Sequence, residues 1–454
     1  MKVMMTLLGY GMLTLPFILA IGLALGSWWV LVNAAARVWV GAWIVALAFV
    51  VETVFVAAPA LPLGINVSTN DLAFLLLMAA LAFRMAFIGV PQWSAAWRSW
   101  LLLGMVLFYS LLVGLVQFGS SAGVEARGNA YFWMAGLYFA SFSYSPEPLS
   151  RLWHMLRWTA WLIAAVVVYR WIGLKYGFVS AHVVELAGAS SEFRTVGSHQ
   201  ALFLAMVGVA HLAHWLRHDG WKHLLSAGTL LAFAVVLQHR SVWVATLVAL
   251  AVVAWHLRTT LAVRALPLIG LGIALISAGT AMLILSPGNR LAETLTRSVT
   301  AVGEARGTHT DRIEGWRELL AGHAGASPRE WLLGKPYGTG YKRHVLGREV
   351  EYAPHNFYVQ ILLRLGVIGL AALLWIHFHL RRKLLHDRQR NDAPPLLEIV
   401  LLAVLAASLA YYIPYQGFYF HGALYGFLIA LLAPARAANS VSRPFVARQS
   451  FVTP

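Results

Sequence analysis

Cysteine is absent from the 454 residues. That excludes disulfides, thiol nucleophiles and thiolate metal sites, although it leaves the compartment open. Charge is scarce as well, with Asp, Glu, Lys and Arg making up 11% of the chain against 60% hydrophobic residues. Such a chain cannot cover an ordinary water-facing surface, and it reads as an integral membrane protein with many spans. Acidic residues are the rarer sign, 18 against 34 basic ones, for a formal charge of +16. No soluble basic module is present to bind nucleic acid. The excess is assigned mainly to the positive-inside bias of membrane proteins and partly to an anionic, phosphate-bearing substrate. There is no Asp-x-Asp and no acidic pair early in the first outer loop, so neither a metal nor another cofactor is expected.

What is abundant is apolar sequence. Segments able to cross a bilayer fall near 6–32, 38–60, 71–90, 100–118, 129–143, 157–176, 199–216, 223–239, 241–257, 262–285, 356–378, 396–413 and 418–434. The expected fold is an all-α polytopic membrane protein of about 12–14 transmembrane helices. The 19 Trp and 16 Tyr suit aromatic belts at the two interfaces. Met1-Lys2 and the apolar run behind it lack a small-residue cleavage site and read as a retained first span.

Basic connectors set the orientation. Arg381, Arg382, Lys383, Arg388 and Arg390, and the tail with Arg436, Arg443 and Arg448, are assigned to the cytoplasm. Counting back, Arg258 and Arg264, Arg217 and Lys222, Arg151 and Arg157, and Arg98 fall on the same side. Residues 177–198, the Arg240 junction and 286–355 then face outward. Thirteen spans leave the N-terminus outside, against the common bacterial arrangement, unless 6–32 holds two short passes. The organisation is a bundle over 1–285, an outer loop over 286–355, C-terminal helices over 356–434 and a cytoplasmic tail over 435–454.

The outer loop is too short for an ordinary domain and reads as a helical cap on the bundle. Ser286-Pro287-Gly288 ends the preceding span, and 289–304 reads as helical. Asp311 with Glu314 makes an N-cap signature, followed by Ile313, Trp316 and Leu320 at helical spacing. Ser327-Pro328 opens another short helix. Gly334, Gly338 and Gly340 lack the Lys-Ser/Thr ending of a phosphate loop and read as a turn.

The loop ends at Ala353-Pro354-His355-Asn356, where a hydrophobic helix begins. Asn356, Gln360 and Arg364 recur every fourth residue, a polar stripe on an apolar rod. Arg364 lies about 12 Å beyond Asn356, and a lipid-facing arginine at that depth is costly, so the stripe is expected to face the interior. Glu52, isolated in its own span, is a possible partner for Arg364. Arg194, in Ser-Glu-Phe-Arg-Thr-Val-Gly, and Arg240, in the tight Leu-Gln-His-Arg-Ser turn, stand at outer span ends. Guanidinium groups fork onto phosphate oxygens, which suits a pyrophosphate arriving at the membrane surface. His355 titrates near neutrality and is the candidate to take a proton from a sugar hydroxyl. Arg312, Arg317, Lys342 and Arg343 are as consistent with solvated charges as with ligands.

These residues carry a resemblance. The run Asp311-Arg312-Ile313-Glu314-Gly315-Trp316 through Gly334-Lys335-Pro336-Tyr337-Gly338, then His355-Asn356 with Gly366 and Gly369, resembles the bacterial O-antigen ligase and polymerase family. Gln238-His239-Arg240-Ser241 resembles that family's arginine-containing turn, and the layout matches over about residues 190–430. Members often carry an acidic residue where Arg364 stands.

The resemblance implies an inner-membrane glycosyltransferase with its site facing the periplasm. It implies inverting, metal-independent transfer of a glycan from an undecaprenyl-pyrophosphate carrier. The acceptor would be lipid A–core for a ligase or another lipid-linked repeat unit for a polymerase. Arg194 and Arg240, with Asn356 and Arg364, would bind substrate and His355 would activate or position the acceptor hydroxyl. The alternative class is a transporter or flippase of lipid-linked glycans.

The topology is directly testable because the chain lacks cysteine. Gly325→Cys should react with an impermeant thiol reagent in intact spheroplasts, and Gln389→Cys should not. The reverse pattern contradicts the orientation.

Overall fold

The computed structural model describes residues 25–55, 58–62, 66–89, 94–180, 193–264, 308–345, 348–389 and 395–432. Most of the 6–32 span, the 262–285 span, the helix expected over 289–304 and the tail over 435–454 lie outside them.

Helices dominate the described chain. They are α1 (Leu25–Ala36), α2 (Val38–Phe55), α3 (Thr69–Phe87), α4 (Ala95–Phe118), α5 (Ser120–Ala140) and α6 (Pro146–Tyr176). After these come α7 (Ser198–His218), α8 (Trp221–Val236), α9 (Arg240–His256) and α10 (Arg258–Arg264). Next are α11 (Thr308–Ala324), α12 (Pro328–Leu333), α13 (Phe357–Gln389), α14 (Leu396–Tyr412) and α15 (Tyr419–Leu431). Two small antiparallel ribbons depart from the all-helical expectation. They pair β1 (Ala60–Pro62) with β2 (Asn66–Ser68) and β3 (Arg343–Val345) with β4 (Arg348–Val350).

Five helices (α2, α3, α4, α6 and α13) are long and apolar enough to cross a membrane, and α1, α8, α9, α14 and α15 are shorter apolar helices. Their exposed faces support a lipid environment. On α4, Leu102, Met105, Phe108, Leu112 and Val116 form an exposed apolar stripe that would be a liability in water. The buried faces pack through small residues. On α15, a Cβ at Gly422 or Gly426 would sit 1.9 Å from Phe132 O or 2.1 Å from Gly136 O on α5. Only glycine permits two helix backbones to approach that closely.

α5 is longer than the sequence suggested, because its first turns are polar. Those groups are satisfied by distant partners: Asn129 Nδ2 donates to Tyr337 OH at 2.8 Å, and Arg127 lies 3.5 Å from Asp71. In the cap, α11 begins at Thr308, so Asp311 falls within its first turn rather than at its N-cap. Ser327 and Glu330 form a reciprocal capping box at the start of α12, as the Ser-Pro sequence implied.

α13 carries the Asn356–Gln360–Arg364 stripe, and all three residues are buried. Arg364 is 1% exposed, and its partner is Glu125 on α5 rather than Glu52. It also donates to Gly340 O and lies 4.2 Å from the ring centre of Tyr341. Glu125 in turn accepts from the amides of Gly338 (2.8 Å) and Gly340 (3.3 Å). One ion pair therefore fastens the loop, α5 and α13 together.

Just past Arg364 the helix breaks at Gly366, with φ +61. A Cβ there would lie 2.3 Å from the Leu332 carbonyl carbon. The facing Gly334, φ +79, would meet Arg364 at the same distance. Both positions require glycine for conformation and for space. Residues 367–385 alone rise about 28 Å, near the thickness of a hydrocarbon core. The segment before the break, Arg364 included, need not lie in hydrocarbon. This revises the depth inferred from an unbroken helix.

Glu125→Ala should strand the buried guanidinium. The expected loss is about 3–5 kcal/mol, read from denaturation in detergent. A change below about 1 kcal/mol would mean the pair behaves like an exposed one.

Candidate functional site

One end of the bundle collects the ends of α2, α6, α8 and α14 and the starts of α3, α7, α9, α13 and α15. Contacts show this directly. Arg170 on α6 donates to Thr53 O on α2 and to Thr195 O before α7. Phe357 N donates to Tyr415 O at 3.0 Å, joining the start of α13 to the end of α14.

The stretch holding Arg194 is pinned from several sides. Trp171 Nε1 donates to Phe193 O at 3.1 Å, and His239 Nε2 lies 2.9 Å from Val196 O. Burial pulls His239 down to about 4, so the neutral ring donates to that carbonyl. Arg194 Nη2 donates to Gln238 O at 2.9 Å. Gln238 is the residue of the α8–α9 turn with φ +56, and Trp243 Nε1 holds the turn by donating to Ala234 O at 3.0 Å. Arg240 thus starts α9 from a fixed corner.

Arg312 reaches the same place from the cap. Its Nη1 donates to Pro414 O at 3.0 Å and its guanidinium lies 5.2 Å from the Tyr415 ring centre. Arg194 is held below the ordinary arginine range mainly by burial, with Arg240 and Arg312 adding repulsion. The three guanidinium groups therefore share one field. Among the described residues none of them forms an ion pair with a carboxylate. The Nε atoms of Arg194 and Arg240 are buried with no hydrogen-bond partner among those residues. Buried unpaired donors are uncommon, and clustered cationic ones suit an anion.

His355 adjoins this cluster. It precedes α13 in a left-handed conformation, φ +49, uncommon for a residue other than glycine. Its ring lies 5.4 Å from Tyr352 and 6.4 Å from Tyr415. Burial first, then Arg312 and Arg343, lowers it to about 4, so it is neutral at pH 7 but weakly basic.

Asn356 takes a structural place. Its Oδ1 accepts the Val359 amide at 3.1 Å, capping α13. Arg364 is committed to Glu125 and Gly340. The structure therefore brings Arg194, Arg240 and His355 together, leaves Asn356 at their edge as a cap, and places Arg364 in a separate buried pair. Arg312 and Tyr415 complete the group. Arg312 was visible in sequence as one cation among several, and only its contact with the α14–α15 turn distinguishes it from Arg317, which is exposed. Arg343 is buried, donating to Tyr341 O and Tyr352 O, whereas Lys342 is exposed beside Glu349 and Glu351.

At the opposite end His211, His214, His218 and His223 gather, including a His-x-x-x-His spacing at 214 and 218. The rings of His214 and His223 stack at 3.9 Å and 14°, so their in-plane lone pairs run parallel instead of converging.

No protein-family model matches the chain, and comparison with curated proteins finds no match. The site must be interpreted from its own chemistry.

Inorganic pyrophosphate should raise the melting temperature of the purified protein. Arg240→Lys keeps the charge but loses the fork, and should weaken that binding about 10–100-fold, the worth of a charged hydrogen bond. Equal stabilisation of both proteins contradicts an anion site at Arg240.

Proposed function

We propose that this protein is a membrane glycosyltransferase of the O-antigen ligase or polymerase type. In this reading it moves a glycan from an undecaprenyl-pyrophosphate carrier to the hydroxyl of an acceptor sugar on the periplasmic face of a bacterial inner membrane. The observation carrying the reading is the convergence of Arg194, Arg240 and Arg312, without carboxylate partners among the described residues, beside a neutral His355. Breaking a sugar–pyrophosphate bond deposits charge on the departing phosphate. Preorganised guanidinium groups stabilise that charge where it develops. The substrate's lipid tail needs a bilayer beside the site, and the apolar outer faces of the helices suit one.

The orientation in this reading rests on the far end of the bundle, where Arg98, Arg151, Arg157, Arg217, Lys222, Arg258, Arg381, Arg382 and Lys383 lie toward the helix ends. That end is assigned to the cytoplasm, which puts the arginine cluster and the cap in the periplasm. Attack from the face opposite the departing pyrophosphate inverts the anomeric carbon. In this account the acceptor lies on the His355 side of the cluster, with the ring hydrogen-bonding its hydroxyl.

A flippase or transporter is the second reading, favoured by one feature, the broken helix at Gly366. The close packing of Leu332 against Gly366 accounts for the break without a transport cycle.

Purified protein in detergent, supplied with lipid-pyrophosphate glycan and acceptor, should transfer glycan although no membrane separates two compartments. Arg240→Lys and Arg312→Ala should each reduce kcat/KM by about 10²-fold or more. Because His355 is lowered to about 4, its protonation should erode kcat/KM only near that pH, not near 6.5. Translocation of the lipid without transfer would favour the flippase.

A further inference from the structure

We propose that the Glu52–His199 pair, rather than His355, receives the proton of the acceptor hydroxyl. The inference rests on the glycosyltransferase reading and assigns a role within the same site.

Glu52 stands in the last turn of α2, an apolar helix where an unsatisfied carboxylate would be costly. Its Oε2 accepts from Asn70 Nδ2 on α3 at 3.1 Å and from Tyr419 OH at the start of α15 at 3.1 Å. Its Oε1 lies 3.4 Å from Nε2 of His199, in the first turn of α7. At that separation the contact is electrostatic rather than a full hydrogen bond, and it would tighten when the ring charges. Facing a carboxylate, Nε2 must carry the hydrogen, which leaves the Nδ1 lone pair to accept a proton.

Nδ1 makes no hydrogen bond among the described residues. The ring is clamped against Phe418 at 4.0 Å and lies 5.9 Å from Phe49. Glycine at 197 leaves room for the ring, since a Cβ there would lie 2.8 Å from Gln200 Oε1, 3.0 Å from His199 Cε1 and 3.2 Å from Nδ1. A carboxylate 3.4 Å from one ring nitrogen and a second nitrogen with no partner among the described residues resemble the arrangement that general-base histidines use, with the carboxylate contact still to close.

The pair also adjoins the arginines. His199 follows Arg194 by five residues, and His239 senses the charges of both. Its neighbour Ser198 bonds Tyr411 OH at 2.8 Å, and Tyr411 stacks at 5.0 Å on Tyr415, the tyrosine beside Arg312 and His355. His421 on α15 is the remaining titratable group that senses His199. His355, by contrast, has no carboxylate partner among the described residues and faces Arg312 and Arg343. A donor pyrophosphate would offset those arginines but not the burial that chiefly lowers its basicity.

In the step, the acceptor oxygen bonds to the sugar anomeric carbon as its proton passes to His199 Nδ1. The bond from that carbon to the pyrophosphate oxygen breaks, and its electron pair leaves with the phosphate, facing the arginines. Glu52 balances the imidazolium, which then releases its proton to water. Glu52 is a positioning residue and His199 the base.

The test is transfer by purified full-length protein, measured as kcat and donor KM. His199→Gln can still donate to Glu52 but cannot take a proton. Its kcat should fall about 10²-fold or more, with donor KM within about threefold. His355→Gln, which removes a contact to the acceptor but not the proposed base, should lower kcat less than His199→Gln does. Glu52→Gln should lower kcat while leaving donor KM within about threefold, because the imidazolium loses its balancing charge. If His199→Gln does not fold, Gly197→Ala serves, since φ −70 and ψ 165 suit alanine while its methyl would displace Gln200 Oε1 and crowd the Cε1–Nδ1 edge of His199. It should lower kcat comparably. Near-normal kcat in His199→Gln, Gly197→Ala or Glu52→Gln, or His355→Gln as the more damaged variant, would each overturn the assignment. Those results leave the glycosyltransferase reading intact provided Arg240→Lys still impairs donor use. No transfer by the wild-type protein would instead remove that reading and the base with it.

Discussion

Taking a guanidinium out of water inside an apolar bundle is tolerable only when its charge is matched and its donors are used. Arg364 meets that demand through Glu125, Gly340 O and the face of Tyr341. Glu125 spends its second oxygen on the amides of Gly338 and Gly340. The pair therefore does more than neutralise itself, because it pulls the end of the cap loop onto α5 and α13. His355 directly precedes α13, the helix that Arg364 ties to that anchor. The break at Gly366, backed by the opposed Gly334, lets α12 sit against the same level of α13.

The cations at the open end are held by another means. Arg194 and Arg312 use backbone carbonyls, Gln238 O and Pro414 O, while Arg170 fixes the approach to α7 through Thr53 O and Thr195 O. Carbonyl dipoles orient a guanidinium without cancelling its charge. A carboxylate would cancel it, as Glu125 does for Arg364. The chain thus contains both a neutralised arginine that builds structure and oriented arginines with no carboxylate partner among the described residues, as the proposed anion site requires. His355 and the Glu52–His199 pair repeat the contrast in imidazoles, one surrounded by cations and one matched by a carboxylate.

Much of this architecture was legible in local pattern. Apolar runs gave most of the described helices, and fourfold spacing put Asn356, Gln360 and Arg364 on one buried face. The polar beginning of α5 hid its true length, since Glu125, Arg127 and Asn129 depress hydropathy and their partners lie far along the chain. Glu125 and Arg364 are 239 residues apart, beyond any periodicity argument, so the partner of Arg364 could not be named. Arg194 and Arg240 stood out as cations at span ends. Arg312 did not, because its distinction is a carbonyl in a turn about a hundred residues later. His199 was read as the beginning of a span, and only the packing of α2, α3 and α15 around it reveals Glu52 at its edge.

In the proposed function the oriented arginines hold a lipid-linked pyrophosphate. The most direct measurement is a cryo-electron microscopy structure of the protein in a lipid nanodisc with an undecaprenyl-pyrophosphate glycan bound. Both phosphates should lie among Arg194, Arg240 and Arg312, with the Nε donors of Arg194 and Arg240 turned to their oxygens and the sugar carbon directed toward His199 and His355. Pyrophosphate density elsewhere on the protein, with these three arginines contacting only protein and water, would contradict it.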